Sequence, residues 1–503
     1  MKVPFQIAPG LVSDETTFAT PGVWVDGNNV RFWLGRPQTI GGWSKAFADT
    51  LTGVCRGVLA WSDVDGNTNI AFGTHSNAYV YTAGALTDIT PAGLTAGAVD
   101  GAGGPGFGTG DYDEGTYGAG TGTEWWARTW SMANYGEWLI ANPRGGKIYS
   151  WKNNTATDLA QVTNSPAAVN NILVTPERQL LAFGCNEEVS GTLNPMCIRG
   201  SDINDIEDWT TSASNNAFEH ILEGGGRIVG AKLFGSYVAV WTDTGCHLGQ
   251  FTGDTGQAYR FDLVASNCGL AGPNAVAIID QTAYWVTPDF QFYRWQVGAP
   301  PQQMPCPIRN DFRDNVVQSQ AEKIVAATVT QYREVWFFYP DERDGTENSR
   351  YIAVNVDAGT WFKGEMARTA FVDSSPLAYP LGITSGGVVY YHENGHSADG
   401  GALTWSITSG DQYLAPADQR ILVRGIWPDF EDQLGPVSLT FDYRAYPQAT
   451  ARTKGPYSLA VNRSKKDFLC DGRVIAATFS GSSAPAYMRL GMPTFDIEAT
   501  GEQ

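Results

Sequence analysis

The sequence predicts an all-β fold, a β-propeller-like platform with an additional C-terminal antiparallel β-sandwich-like module. Three observations carry this. Short runs rich in Val, Ile, Thr, Tyr and Trp are bounded by turn-formers, above all the 58 glycines among 503 residues, as expected of strands cut by tight turns. A strand–turn–strand unit recurs along most of the chain. After Ser409 the strands lengthen and the repeat stops.

The recurring unit reads Asn69–Thr74 then Ala78–Thr82, Trp138–Asn142 then Lys147–Trp151, and Gln179–Gly184 then Met196–Gly200. It continues as Tyr237–Thr242 with Cys246–Phe251, Thr282–Thr287 with Gln291–Trp295, Glu334–Tyr339 with Tyr351–Val356, and Val388–His392 with Ala402–Ser406. Starts are mostly ~40–60 residues apart, the spacing of four-stranded propeller blades. The units share a pattern but no Gly-His…Trp-Asp signature. The plainer alternative is a run of unrelated hairpins in sandwiches. Radial packing has the stronger physical logic, because it buries both faces of each small sheet and leaves only short edges. Sustained helical periodicity is scarce, and Ile308–Gln320 allows one short helix at most.

The length suits two or three domains. Residues 1–47 read as an N-terminal arm with the first strands, 48–408 as the propeller-like repeats, and 409–503 as the C-terminal β module. Within the repeats, 94–124 is a Gly/Asp-rich insertion with Asp100, Asp111, Asp113, Glu114 and Glu124 and no Lys or Arg. It predicts a long surface loop, either a solvated spacer or an arm toward a neighbouring subunit. In the C-terminal module Ile421–Trp427, Val437–Tyr446, Tyr457–Asn462, Val474–Ser480 and Ala486–Glu498 read as antiparallel strands. Arg444, Arg452, Lys454, Arg463, Lys465, Lys466 and Arg473 cluster there against Asp467 and Asp471. Such a cluster is a solvated face or a contact for acidic neighbours or host-surface phosphate.

The formal charge of −19 argues against tight nucleic-acid binding, which draws most of its affinity from a basic face. It is compatible with a wall that repels phosphate and lets a duplex slide past. Seven cysteines (Cys55, Cys185, Cys197, Cys246, Cys268, Cys306, Cys470) lie scattered without a CxxC pair, predicting reduced, mostly buried thiols in a protein made in cytosol. The first residues lack an apolar signal core, and no stretch approaches the ~18 apolar residues of a membrane span.

Several motifs match chemical signatures in form only. His392-Glu393-Asn394-Gly395-His396 spells HExxH, but zinc hydrolases need that spacing on a helix, and Asn-Gly is a turn signal. Gly101–Gly106 spells GxGxxG without a flanking strand and helix, and with Pro105 inside it. Asp63, Asp65 and Asn67 around Gly66 resemble the start of a calcium loop but have no Glu at its twelfth position, so a tight turn is expected. No GxSxG elbow occurs. Trp125, Trp126, Trp130, Trp138 and Trp151 form either a sugar-stacking platform or core packing. No catalytic, cofactor-binding or metal residue is singled out. The expectation is a chain that is no enzyme and carries no cofactor.

Ala8-Pro9-Gly10-Leu11 and Trp24-Val25-Asp26-Gly27-Asn28-Asn29-Val30-Arg31-Phe32 open a series of short blocks. Gly35-Arg36-Pro37, Ile40-Gly41-Gly42-Trp43 and Cys55-Arg56-Gly57 follow. Ile198-Arg199-Gly200-Ser201-Asp202 with Asp208-Trp209, Trp241-Thr242-Asp243, Gly472-Arg473-Val474 and Arg489-Leu490-Gly491 complete it. The series resembles the tail nozzle, or packaged-DNA stabilisation, proteins of short-tailed, podovirus-type bacteriophages. It spans most of the chain and is weakest across 94–124. The resemblance implies a virion-tail protein made in the host cytoplasm and assembled as a homohexameric ring. It also implies contacts with the tail adaptor and portal assembly and with tail fibres or a needle. Double-stranded DNA would be retained and then passed at ejection without sequence-specific binding. The alternative is a propeller-type carbohydrate hydrolase or lectin acting on host surface polysaccharide. A scaffold or adhesion module of a bacterial cell is a third.

Overall fold

The computed structural model describes residues 1–16, 22–101, 126–414, 419–446 and 448–502. Strand formation follows from the alternation and apolar density of each run. Glu334–Pro340, for example, is buried at every position and packs neighbours on both faces. Turns are equally local. Tyr135 pairs Trp138 across Gly136-Glu137, and Phe234 pairs Tyr237 across Gly235-Ser236. Gly136 (φ 67°) and Gly235 (φ 66°) supply the positive φ that a two-residue hairpin needs at its first central position.

Among the described residues, seven four-stranded antiparallel sheets follow one another along the chain. Their inner strands are Cys55–Ser62, Trp130–Tyr135, Val169–Val174, Ile228–Phe234, Val276–Ile279, Val325–Val329 and Ala370–Val372. Residues from all seven inner strands, or the turns entering them, line one axial cavity, so the sheets are the blades of a propeller. Blades one to six are each continuous in sequence. The seventh takes Ala370–Val372, Leu381–Ile383 and Val389–His392, then closes with the N-terminal strand Trp43–Lys45 through Tyr390–Lys45, Tyr391–Ser44 and His392–Trp43. The ring is thus locked by a strand from the far end of the repeat.

The predicted hairpins fall on strands two and three of blades one to six. The seventh differs: Leu403–Ser409 leaves the propeller and pairs Val23–Asn28 on one side and Val474–Ser483 on the other. Its alternating burial would suit either sheet, so periodicity alone does not choose between them. The broken run Ala486–Glu498 is also two strands, Tyr487–Leu490 and Thr494–Glu502.

The N-terminal strands form no separate arm. Lys2–Pro4 joins Thr494–Glu502, Gln419–Trp427 and Lys466–Gly472 in one sheet, while Val30–Trp33 and Arg36–Thr39 join Tyr487–Leu490 and Phe430–Leu434 in another. A third sheet holds Ala8–Leu11, Val23–Asn28, Leu403–Ser409, Val474–Ser483, Val437–Arg444 and Arg452–Leu459, with Gln412–Tyr413 on its flank. Phe441 meets Phe468 and Phe495 across two of these sheets at 5.0 and 5.6 Å between ring centres, which makes the module sandwich-like. Both chain ends therefore build it. Its core is continuous with that of blades four to six, where Trp241 meets Trp285 and Trp295.

A helix, Arg309–Asn315, and a 3-10 turn, Gln318–Lys323, lie between blades five and six. Of the insertion at 94–124, residues 102–124 lie outside the described residues, as do most of the GxGxxG match and Trp125.

Candidate functional site

The end of the propeller axis and the joint between propeller and sandwich hold the buried charges Arg56, Lys323, Arg31 and Glu334. At the end where the inner strands begin, the turn Gln318–Lys323 caps the channel. Its Glu322 receives Arg144 and Arg227, the latter at 2.6 Å. Trp126 lies under both guanidiniums, 4.8 and 4.2 Å from its ring centre. Burial works to raise the Glu322 carboxyl, but the two arginines outweigh it and hold it below its ordinary value. Lys323 binds Asp100, the Glu347 carboxylate at 2.8 Å and the Thr346 carbonyl at 2.9 Å. Arg56 also binds Glu347. Gln320 exchanges two 2.9 Å hydrogen bonds with Gly101. Each acid here is paired with a base, while Arg56 Nε and Nη1, Arg144 Nε, Arg227 Nη1 and Glu347 Oε2 stay buried without a hydrogen-bond partner.

The joint is built on Arg31, in Val30–Trp33. Its Nη1 and Nη2 donate to Glu393 at 2.9 and 2.6 Å, and its Nε lies 3.2 Å from Glu334, too far off line for a hydrogen bond. Tyr332 covers the guanidinium at 3.7 Å, and Trp336 Nε1 donates to Glu334 at 2.9 Å. Gly41 N–H donates to Glu393, and a Cβ on Gly41 would sit 2.4 Å from that carboxylate. The main chain adds Asn29 N–H to Lys363 carbonyl at 3.2 Å, and the Tyr351 hydroxyl donates to Asn29 at 3.2 Å. Burial opposes the Arg31 charge, yet the two carboxylates hold it above its usual value. Burial pushes Glu334 up to about 7 against the pull of Arg31.

That shift has a signed consequence. A carboxyl raised in the folded state binds its proton more tightly there than in the unfolded chain. Its contribution is present below the unfolded value of 4.5 and is lost as pH rises toward about 7. Relative to Glu334→Gln, the wild type is expected to lose on the order of 1–3 kcal/mol across that window. Urea melts of both proteins from pH 4.5 to 8 check this, and parallel curves would refute it.

The residues singled out in the sequence are dispersed. His392 is buried and accepts from Arg368 Nε at 2.8 Å, and burial then the Arg368 charge hold it well below the usual imidazole value. Glu393 holds Arg31 from a left-handed conformation (φ 55°), and His396 lies against Tyr487, so the HExxH residues share no helical face. Among the described residues no group of His, Cys, Asp and Glu is arranged to hold a metal ion. Asp63 accepts the Asp65 and Asn67 main-chain N–H groups in a tight turn, and the Asn67 side chain helps hold its carboxyl down at about 2. Trp130 and Trp151 are core, with Trp130 Nε1 bonded to the Thr74 carbonyl. Trp138 is half-buried under Lys152. The basic cluster is partly paired, Arg444 to Asp411 and Lys465 to Asp467, while Lys454 bonds the Leu469 carbonyl. All seven thiols are free, six of them buried. No helix among the described residues is long and apolar enough to cross a membrane.

No sequence signal marked the capping charges, because Arg144, Arg227 and Glu322 converge from three separate parts of the chain. Arg31 and Arg56 did stand within the quoted blocks, without a role.

No protein-family model and no curated protein matches the chain. Among solved structures it is similar to a computationally designed protein, with 12% identity over 73% of this chain and 93% of that one and a TM-score of 0.39. It is also similar to streptogramin B lyase, with 10% identity, 68% and 96% coverage and a TM-score of 0.38. A third is a catalytically inactive virginiamycin B lyase from Staphylococcus aureus with quinupristin, with 9% identity, 68% and 96% coverage and a TM-score of 0.41. The expectation of a chain that is no enzyme is corrected on this finding: two of these similar structures are enzymes, so a propeller of this kind gives no ground for excluding catalysis. At such low identity the likeness assigns neither their activity nor their substrate to this chain.

Proposed function

We propose that this chain is a wall subunit of a phage tail nozzle, assembling as a ring around a passage for DNA. The observation that carries the proposal is where the nozzle-like blocks fall. Trp24–Phe32 and Ile40–Trp43 form the joint that ties both chain ends to blades six and seven, through Arg31 with Glu334 and Glu393 and through Trp43 with His392. Cys55-Arg56-Gly57 opens the first inner strand, with Arg56 fixed to Glu347. These blocks tie propeller and sandwich into one unit, which head-to-tail contacts between copies would close into a ring. The propeller's own axis is no passage. Asn274 Nδ2 reaches across it to the Arg56 carbonyl at 3.3 Å, and the axial cavity is only about 160 Å³. DNA would pass between copies, along walls whose net charge of −19 per chain repels phosphate.

Electron microscopy of the purified protein, alone and with portal and adaptor, tests this. Sixfold annuli with an open centre are expected. Particles that remain single under both conditions would overturn the proposal.

A second reading has one observation in its favour. Tyr135, Trp138, Glu137, Arg178, Asp205 and Glu207 line a cleft of about 520 Å³, mixing aromatic faces with carboxylates as glycan sites do. Host polysaccharide retained or shortened by the protein would favour it.

A further inference from the structure

The axial cavity is charged opposite to the molecule around it. Its lining includes Arg56 and Lys232 and no Asp or Glu, in a chain of net charge −19. Lys232 stands on the inner strand of blade four. It makes no hydrogen bond or ion pair among the described residues, and burial alone holds its ammonium below the usual lysine value. Arg56 is 2% exposed and pairs with Glu347 through one end of its guanidinium, leaving Nε and Nη1 buried without acceptors. Asn171, 8% exposed, has an amide oxygen without a donor. Ser131 and Asn274 add polar atoms to the same wall.

Lys232 is half-buried in this wall, and an ammonium that is partly desolvated with no carboxylate facing it is costly unless a counter-ion joins it. Orphaned guanidinium N–H groups ask for the same kind of partner. A phosphate-sized oxyanion answers both, and a protonated phosphate oxygen also supplies the donor that Asn171 lacks. The cavity, about 160 Å³, is large enough for one such ion with a few waters. We propose that the propeller axis is a binding site for one small oxyanion of the phosphate class, held by Lys232 with Arg56 and Asn171. The site is independent of the nozzle proposal, since it requires neither a ring nor DNA.

The test is titration calorimetry of the full chain with inorganic phosphate, with ionic strength held by a large organic anion and thermal melts run in parallel. Wild-type protein is expected to show saturable one-site binding and a phosphate-dependent rise in Tm. Lys232→Met removes a charge that has no protein partner, so the variant is expected to fold, to melt higher without phosphate, and to bind phosphate at least tenfold more weakly. Lys152→Met removes an equal charge from the surface and is expected to bind within twofold of wild type. Absence of saturable binding to wild type, or Lys232→Met binding within twofold of it, would overturn the site. A loss in Lys152→Met as large as in Lys232→Met would do so too, by showing diffuse electrostatics only.

Discussion

Replacing Arg31 by Met is expected to destabilise the protein by about 3–5 kcal/mol at neutral pH, the usual cost of removing one member of a buried ion pair. The loss is not that of three contacts. Both acids sit on either side of a guanidinium with no exposure of its own, and both stay buried when it goes. Glu393 would keep the Gly41 N–H and Glu334 the Trp336 indole, which do not balance two carboxylate charges. Glu334, raised to about 7 even beside Arg31, would hold its proton to still higher pH in the variant, so the penalty is expected to shrink as pH falls through that range. Urea denaturation at pH 5 and pH 8 reads both effects. A loss under about 1 kcal/mol at pH 8, the range of surface pairs, would mean that the joint is wet and carries little load. Arg31→Lys should be intermediate, because an ammonium lacks the fork that grips Glu393 on two oxygens.

Gly387→Ala is expected to cost about 2–4 kcal/mol and to loosen the seam of the ring. Gly387 turns the hairpin of blade seven with φ 78°, and a Cβ there would stand 2.1 Å from the Leu51 carbonyl oxygen and 2.9 Å from its carbon. Leu51 belongs to the chain that runs from the closing strand Trp43–Lys45 into blade one, and its N–H donates to the Gly387 carbonyl at 3.0 Å. The obstacle is backbone on both sides, so no side chain can move aside. Gly395→Ala is the internal control. Its φ is 83° with nothing within 4 Å of the added atom, so it should show the left-handed penalty alone, about 1 kcal/mol. Equal losses in the two variants would show that the seam is not tightly packed. Hydrogen exchange in Leu381–Ile383 and Val389–His392 should rise in Gly387→Ala and stay low in Gly395→Ala.

Most of the propeller was legible because its strands are local. Thr282–Val286 and Phe292–Gln296 each carry their own alternation and are joined by a short turn, so the stretch Thr282–Gln296 contains the whole signal. The seventh blade failed that test for a physical reason. Its true partners, Val389–His392 and Trp43–Lys45, lie far apart in sequence, whereas Leu403–Ser409 follows closely and looks equally amphipathic. The nozzle-like blocks were visible as residues, but Arg31 showed nothing of its partners, which arrive from blades six and seven. Lys232 was wholly silent: one lysine within an apolar strand has no meaning until six other strands surround it.

By itself the sequence determined the strand content, the blade spacing and the turns, since these depend on contacts within a few residues. It determined the strong negative charge in the same way, by composition. Only the tertiary structure decided which strand closes the ring, that both chain ends share one sandwich, and that an unpaired cation faces the axis. Each of those depends on groups brought together across hundreds of residues, and burial changes what such groups can do only once they meet.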